Sequence, residues 1–150
     1  MQLSGKYSLN ADRATIWNML MNPEILAVLV PGITRLERKD ENKFISIMEI
    51  KMGPINGSFT GTLDLEQITE YESFTLNARQ DSKMGKAQAV IKIDFSSPSD
   101  NQTELAYNGD IRLTGLLANM GQRLIGGVAT TLIKQFFSNL TKELEKQSAA

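Results

Sequence analysis

Cysteine and histidine are both missing from the sequence. Without cysteine there is no disulfide and no thiolate chemistry, a composition suited to a reducing compartment. Without histidine the commonest general base and the commonest transition-metal ligand are gone. Oxygen ligands could still hold a hard cation, but no Asp-x-Asp-x-Asp-Gly calcium loop occurs, so neither a metal nor a cofactor is expected. Long apolar runs are lacking too. The most apolar window, Ile25 to Ile33, is interrupted by Pro31-Gly32 and falls short of the roughly 20 residues of a spanning helix. The opening Met1-Gln2-Leu3-Ser4-Gly5-Lys6 has no apolar signal core. Nor does charge of one sign dominate: 16 Lys and Arg face 17 Asp and Glu, a formal net charge of −1. That balance gives no basic field for nucleic acid. The expectation is a soluble cytoplasmic protein with no nucleic-acid partner.

What is present fits one globular domain. The 150 residues are 41 % hydrophobic and 22 % charged, and a chain of this length buries about 70 % of its unfolded surface. Residues 3–9 alternate Leu3, Gly5, Tyr7 and Leu9 with polar neighbours, a half-buried strand. Asn10 is placed to cap a helix from Ala11 to about Met21, and Asn22-Pro23 to start a second, short one to about Leu29. Six strands follow, over Ile33–Arg38, Lys43–Met52, Gly57–Ile68, Ser73–Gln80, Met84–Phe95 and Gln102–Leu113. Connections this short imply an antiparallel meander. From Thr114 to about Gln147, apolar residues recur every three or four positions through Leu117, Met120, Leu124, Val128, Leu132, Phe136, Leu140 and Leu144. This predicts one long helix. The fold class is therefore α+β, a seven-stranded curved antiparallel sheet around a long C-terminal helix, with two short helices between strands 1 and 2.

Alternation sorts the strand side chains into two faces. Phe59, Gly61, Leu63 and Leu65 share the inner face with Phe74, Leu76, Ala78, Ala87, Ala89, Ile91, Ile93, Leu105, Tyr107, Gly109 and Ile111. Asp64, Glu66, Asp94, Glu104 and Asp110 fall outside. Acid–base catalysis needs two carboxyl groups converging in a pocket, and none converge here. Nucleophile elbows, phosphate loops and dinucleotide fingerprints are also missing. No catalytic residue is expected.

The inner face is apolar and, in places, small. Gly61, Ala78, Ala89 and Gly109 lie opposite Met120, Leu124, Val128 and Leu132 of the helix, which itself contains Gly126-Gly127. Small residues let backbones approach and strands bend; equally, they leave an internal cavity. On the second reading the lining comprises these eight residues with Phe59, Leu63, Leu76 and Ile91. Tyr107 supplies a hydrogen-bonding group for a polar head. Lys51 and Arg123 read as solvated.

Several stretches resemble a known family. They are Leu3-Ser4-Gly5-Lys6-Tyr7, Ile16-Trp17, Asn22-Pro23-Glu24, Val30-Pro31-Gly32, Met52 to Gly61, Ala118 to Leu124, Ala129 and Phe136-Phe137. Together they are similar to the G-subunit family of carbon monoxide dehydrogenase, within the START-like, birch-pollen-allergen-like helix-grip superfamily. The resemblance implies a non-catalytic accessory protein with an apolar sheet–helix cavity. Its partners would be an apolar small molecule or lipid, plausibly an isoprenoid quinone, and a molybdenum hydroxylase of the carbon monoxide dehydrogenase type. It also implies transient membrane contact, with the protein peripheral at the inner face of the membrane. Alternatives are an enzyme of the same fold, a cyclase or hydrolase, and a ligand-free assembly factor.

Overall fold

A computed structural model describes residues 1–149. The order is β1 (Gln2–Leu9), α1 (Arg13–Leu20), α2 (Pro23–Leu29), β2 (Ile33–Asp40), β3 (Lys43–Met52), β4 (Ile55–Thr69), β5 (Ser73–Ser82), β6 (Gly85–Ser99), β7 (Gln102–Leu113), α3 (Gly115–Ala118) and α4 (Gln122–Ala149). One antiparallel sheet runs β1-β7-β6-β5-β4-β3-β2. Its curved inner face receives α4, the expected helix-grip arrangement. Every neighbouring pair is a hairpin except β1 with β7, where Leu3 faces Gly109 and Leu9 faces Thr103.

Local chemistry explains most boundaries. Asn22 accepts a hydrogen bond from the Glu24 amide at 3.0 Å and Pro23 occupies the first turn, so α2 starts where its sequence directs. The far end of α2 is tied to α4 by Asn139 Nδ2, which donates to the Leu29 carbonyl at 3.1 Å and satisfies one orphan acceptor of a helix terminus. Thr103, fully buried, donates its hydroxyl to the Ala11 carbonyl at 2.8 Å and fastens the β1–α1 link to β7.

Several strands run about two residues beyond expectation, β4 from Ile55 and β5 to Ser82 among them, and three differences are larger. The cap of α1 is Asp12, whose carboxylate accepts the Thr15 hydroxyl, and β1 continues to Leu9 with Asn10 in the bend beyond it. The strand β6 runs on through Pro98, which a register shift between Ser96 and Ser99 accommodates; proline lacks a ladder donor and is tolerated at such a bulge. The single C-terminal helix is two. A break at Asn119–Gly121 separates α3 from α4, and Gly121 takes φ +87, a left-handed conformation that ends helices. The short α3 is held on the β5–β6 turn by the Leu117 amide, 3.0 Å from the Met84 carbonyl. A Cβ on Gly85 would lie 2.0 Å from the Thr114 carbonyl oxygen, so this crossing requires glycine.

The interior forms two apolar clusters. One gathers Leu9, Ile16, Trp17, Leu20, Leu29, Phe74, Phe95, Leu105, Phe137 and Leu140 beneath α1 and α2. The other gathers Ile50, Ile55, Phe59, Leu117 and Ile125 beneath the start of α4.

Candidate functional site

Between the clusters, the sheet presents its smallest side chains to the helix. The register sets Ile111, Ala89, Ala78, Leu63 and Phe44 in one row across five strands, and Leu113, Ala87, Gln80, Gly61 and Ser46 in the next. Of the inward residues here, Ala78, Ala87, Ala89, Ile91 and Ile111 all retain solvent-accessible surface. A residue facing a filled core would not. Over β5–β7 this face, the seam between the two clusters, is less completely covered than they are, whereas towards β3 and β4 the same rows are buried at Phe44, Ser46 and Leu63.

An open groove of about 670 Å³ lies between the β3–β4 hairpin and the start of α4. Met52, Gly53 and Pro54 of the β3–β4 hairpin form one wall; Met120, Arg123, Leu124, Gly127, Val128 and Thr131 form the other. Chain segments some 70 residues apart thus converge, because the β3–β4 turn and the start of α4 lie at the same end. Nothing lies within 4 Å of where a Cβ on Gly127 would be, so this glycine leaves free space inside the groove. The side chains are flexible thioethers and aliphatics, with the exposed Arg123 at the rim.

The expected lining residues fall in several places. Met120, Leu124 and Val128 line the groove, while Phe59 and Leu132 belong to the cluster beneath it. Leu63, Ala78, Ala89 and Ile91 lie along the seam, and Leu76 joins the other cluster. Two glycines leave no space. At Gly61 a Cβ would stand 1.7 Å from the Arg79 carbonyl oxygen, and at Gly109 it would meet Ile91 Cγ1 at 2.8 Å. Their lack of a side chain allows close packing of neighbouring strands. Tyr107 lies away from the groove, its ring over Gly5 and stacked 6.2 Å from Phe137, which also stacks on Tyr7 at 3.9 Å. Burial raises its pKa above the usual phenol value, and neighbouring Tyr7 adds to this.

Two residues that alternation could have revealed were missed. Gln80 lies two positions after Ala78 and Ser46 two after Phe44, so both face inward. Gln80 Nε2 donates to Ser46 Oγ at 3.1 Å and to the Thr62 carbonyl at 3.4 Å, and the Ser46 hydroxyl lies 3.5 Å from Gln80 Oε1. The signal is a polar residue in phase with the apolar ones. Groove residues Gly53, Pro54 and Thr131 gave no such signal, since only the fold brings them together.

Charges stay outside. No inward position of β3–β7 holds a charged side chain. Asp110 is on the outer face, where the N-terminal ammonium at 3.2 Å is the main influence holding its pKa below the usual carboxylate value. Among the described residues no cluster of acidic side chains could hold a metal ion, and no helix is long and apolar enough to cross a membrane.

Comparison with known proteins agrees with this architecture. The family model for the G subunit of carbon monoxide dehydrogenase (CoxG) matches residues 5–145. A conserved protein of Geobacillus kaustophilus is 28 % identical, with a TM-score of 0.94 over 97 % of this chain and 96 % of its own. A START superfamily protein of Mycobacterium smegmatis, 12 % identical, superposes with a TM-score of 0.77 over 97 % of this chain and 98 % of its own. The Zhui aromatase/cyclase of Streptomyces sp. R1128 gives 0.74 at 9 % identity, over 99 % and 95 %. At such low identities the last two show a shared fold alone. None of the curated proteins matches the chain.

Proposed function

The chain belongs to the CoxG family of carbon monoxide dehydrogenase G subunits, and from that premise we propose that it is a non-catalytic accessory protein that holds an apolar guest between sheet and helix. The observations that support this reading are the partly accessible apolar inner face of β5–β7 and the mostly apolar groove between the β3–β4 hairpin and α4. The inner face keeps accessible apolar surface where a folded domain would ordinarily bury it. An isoprenoid quinone or another lipid is the guest that suits an apolar groove lined by thioether and aliphatic side chains. The protein serves a molybdenum hydroxylase of the carbon monoxide dehydrogenase type, peripheral at the cytoplasmic face of the membrane that supplies the guest.

Energetics set the size of the guest. Each buried methylene contributes about 0.8 kcal/mol, so eight contribute about 6 kcal/mol. Association costs at least about 4 kcal/mol of lost freedom. A short chain therefore binds weakly, and a long isoprenoid tail is favoured. Acid–base chemistry is disfavoured because the strand carboxylates lie on the face opposite the groove.

Mass spectrometry of lipid extracted from natively purified protein tests the reading. The expected result is a neutral isoprenoid or acyl lipid retained in preference to bulk membrane composition. Protein that retains no lipid and binds no apolar fluorophore would leave the ligand-free assembly factor in its place.

A further inference from the structure

We propose that Arg123 holds the head of the guest, so that the groove selects heads presenting acceptor oxygens, an ionised carboxylate most strongly, over cationic ones. This rests on the reading of the groove as a ligand site and adds the chemistry of what enters it.

Among the described residues, Arg123 is the one charged side chain lining the groove. It is exposed at the rim and forms no ion pair among those residues. Its own helix offers no acid nearby: α4 has neither Asp nor Glu before Glu143, about 30 Å further along at roughly 1.5 Å per residue. The facing wall of Met52, Gly53 and Pro54 brings none either. Thr131 is the other lining side chain with a polar hydrogen, and its hydroxyl already donates to the Gly127 carbonyl at 2.9 Å. Side-chain donor capacity in the groove therefore lies with the guanidinium, which has N–H groups and no acceptor. Room for a chain adjoins it. Gly127 is one turn from Arg123 on the same helix face and Gly53 is on the opposite wall, and a Cβ on either would have no neighbour within 4 Å. A tail beside these glycines sets its head at Arg123, whose methylenes cover apolar wall while the charge stays at the rim. Lys51, next to Met52, and Lys83 and Lys86 on the adjacent hairpin add positive potential at this end, against Asp81. A carboxylate gains charge-assisted bonds that match the guanidinium fork, and a carbonyl gains a single bond. A quaternary ammonium has no acceptor to offer and meets like charge.

If Arg123 were only a solubilising charge, it would leave head preference untouched. Displacement of N-phenyl-1-naphthylamine by decanoate, 1-chlorodecane and decyltrimethylammonium, at pH 8 and low salt, separates the two. Wild-type protein should bind decanoate at least about fivefold more tightly than decyltrimethylammonium, the scale of an exposed ion pair. Arg123→Gln should narrow that ratio about threefold while changing chlorodecane less than about twofold, and Arg123→Lys should keep most of it. Lys83→Gln removes a charge at the same end but outside the groove lining, and should move the ratio less than about 1.5-fold. Both positions are exposed, so urea unfolding of the variants should match wild type. A wild-type ratio near unity, a ratio that Arg123→Gln does not change, or an equal shift in Lys83→Gln overturns the inference while leaving the ligand site standing. If neither the fluorophore nor any of the three binds wild-type protein, the ligand site itself falls and this inference with it.

Discussion

At one end of the interior, Trp17 of α1 packs edge-on against Phe74 at 5.7 Å and tilted against Phe95 at 5.2 Å, almost wholly buried itself. At the other end the packing is methionine: Met1, Met48, Met52, Met84 and Met120, five of the seven in the chain, surround Ile50, Ile55 and Phe59. Rigid rings define one arrangement; unbranched thioethers adapt to several. The hairpin tips at the aromatic end carry Asp40, Glu41, Glu70, Glu72 and Asp100 together with Arg38, Lys39 and Lys43, and Lys51, Lys83, Lys86 and Arg123 lie at the groove end with Asp81. None of the four cations at the groove end pairs with an acid among the described residues. Stability is concentrated at the closed end and adaptability at the open one.

The largest test of that contrast is truncation at each end. Trp17→Ala should cost about 3–5 kcal/mol, because the ring is almost wholly buried and its neighbours cannot collapse into the void. Met120→Ala, half-buried at the groove, should cost about 1 kcal/mol. Urea unfolding of both variants checks this, and equal losses would erase the distinction between a sealed and an adaptable end.

Filling the seam comes next. Ala89→Phe should reduce affinity for N-phenyl-1-naphthylamine at least about tenfold. If the space is open, stability should fall by less than the roughly 1–3 kcal/mol typical of overpacking a solid core. A large stability loss with affinity unchanged would mean the seam is packed after all.

Those two experiments depend on features the sequence showed unequally. Strand order, the inner face and the long helix were legible because apolar period and turn chemistry are local signals. The outward placement of the strand acids was legible for the same reason. The break at Gly121 was hidden because the apolar stripe runs straight through it, from Leu117 to Leu124. Gly61 and Gly109 could not be told from cavity residues. What fills the space beside a glycine is decided by a neighbouring strand, here the Arg79 carbonyl and the Ile91 side chain. Convergence of the β3–β4 hairpin with α4 is a long-range property that no window reveals.

A smaller effect is expected at Gly127. With its surroundings empty and its backbone helical, Gly127→Ala should raise stability by about 0.5–1 kcal/mol, measured as a higher thermal midpoint. A loss would show that the groove wall is tighter than its glycine suggests.

The smallest concerns the closed end at high pH. The fold favours the neutral Tyr107 phenol, so its folded pKa lies above the usual 10.0. Its contribution is complete below pH about 10 and is lost as pH rises through the raised value. Tyr107→Phe should flatten the alkaline decline of urea stability slightly while leaving neutral-pH binding unchanged. An identical decline in both proteins would assign it to other groups.

Pairing between β1 and β7 also sets an order of assembly. Six of the seven strands find their partners across short turns as the chain emerges from the ribosome, but the first strand made must wait for the last. Its edge stays open until about 100 further residues have been synthesised, from Leu9 and Thr103 at one end of the ladder to Gln2 and Asp110 at the other. Loop closure grows only logarithmically more costly with such length, so the delay costs time more than stability. During that interval the unpaired edges of β1 and the growing meander are the surfaces most open to pairing with another chain. Closure also brings the Met1 nitrogen to Asp110 at 3.2 Å and to the Ile111 carbonyl at 2.9 Å, contacts that form only once β7 is in place.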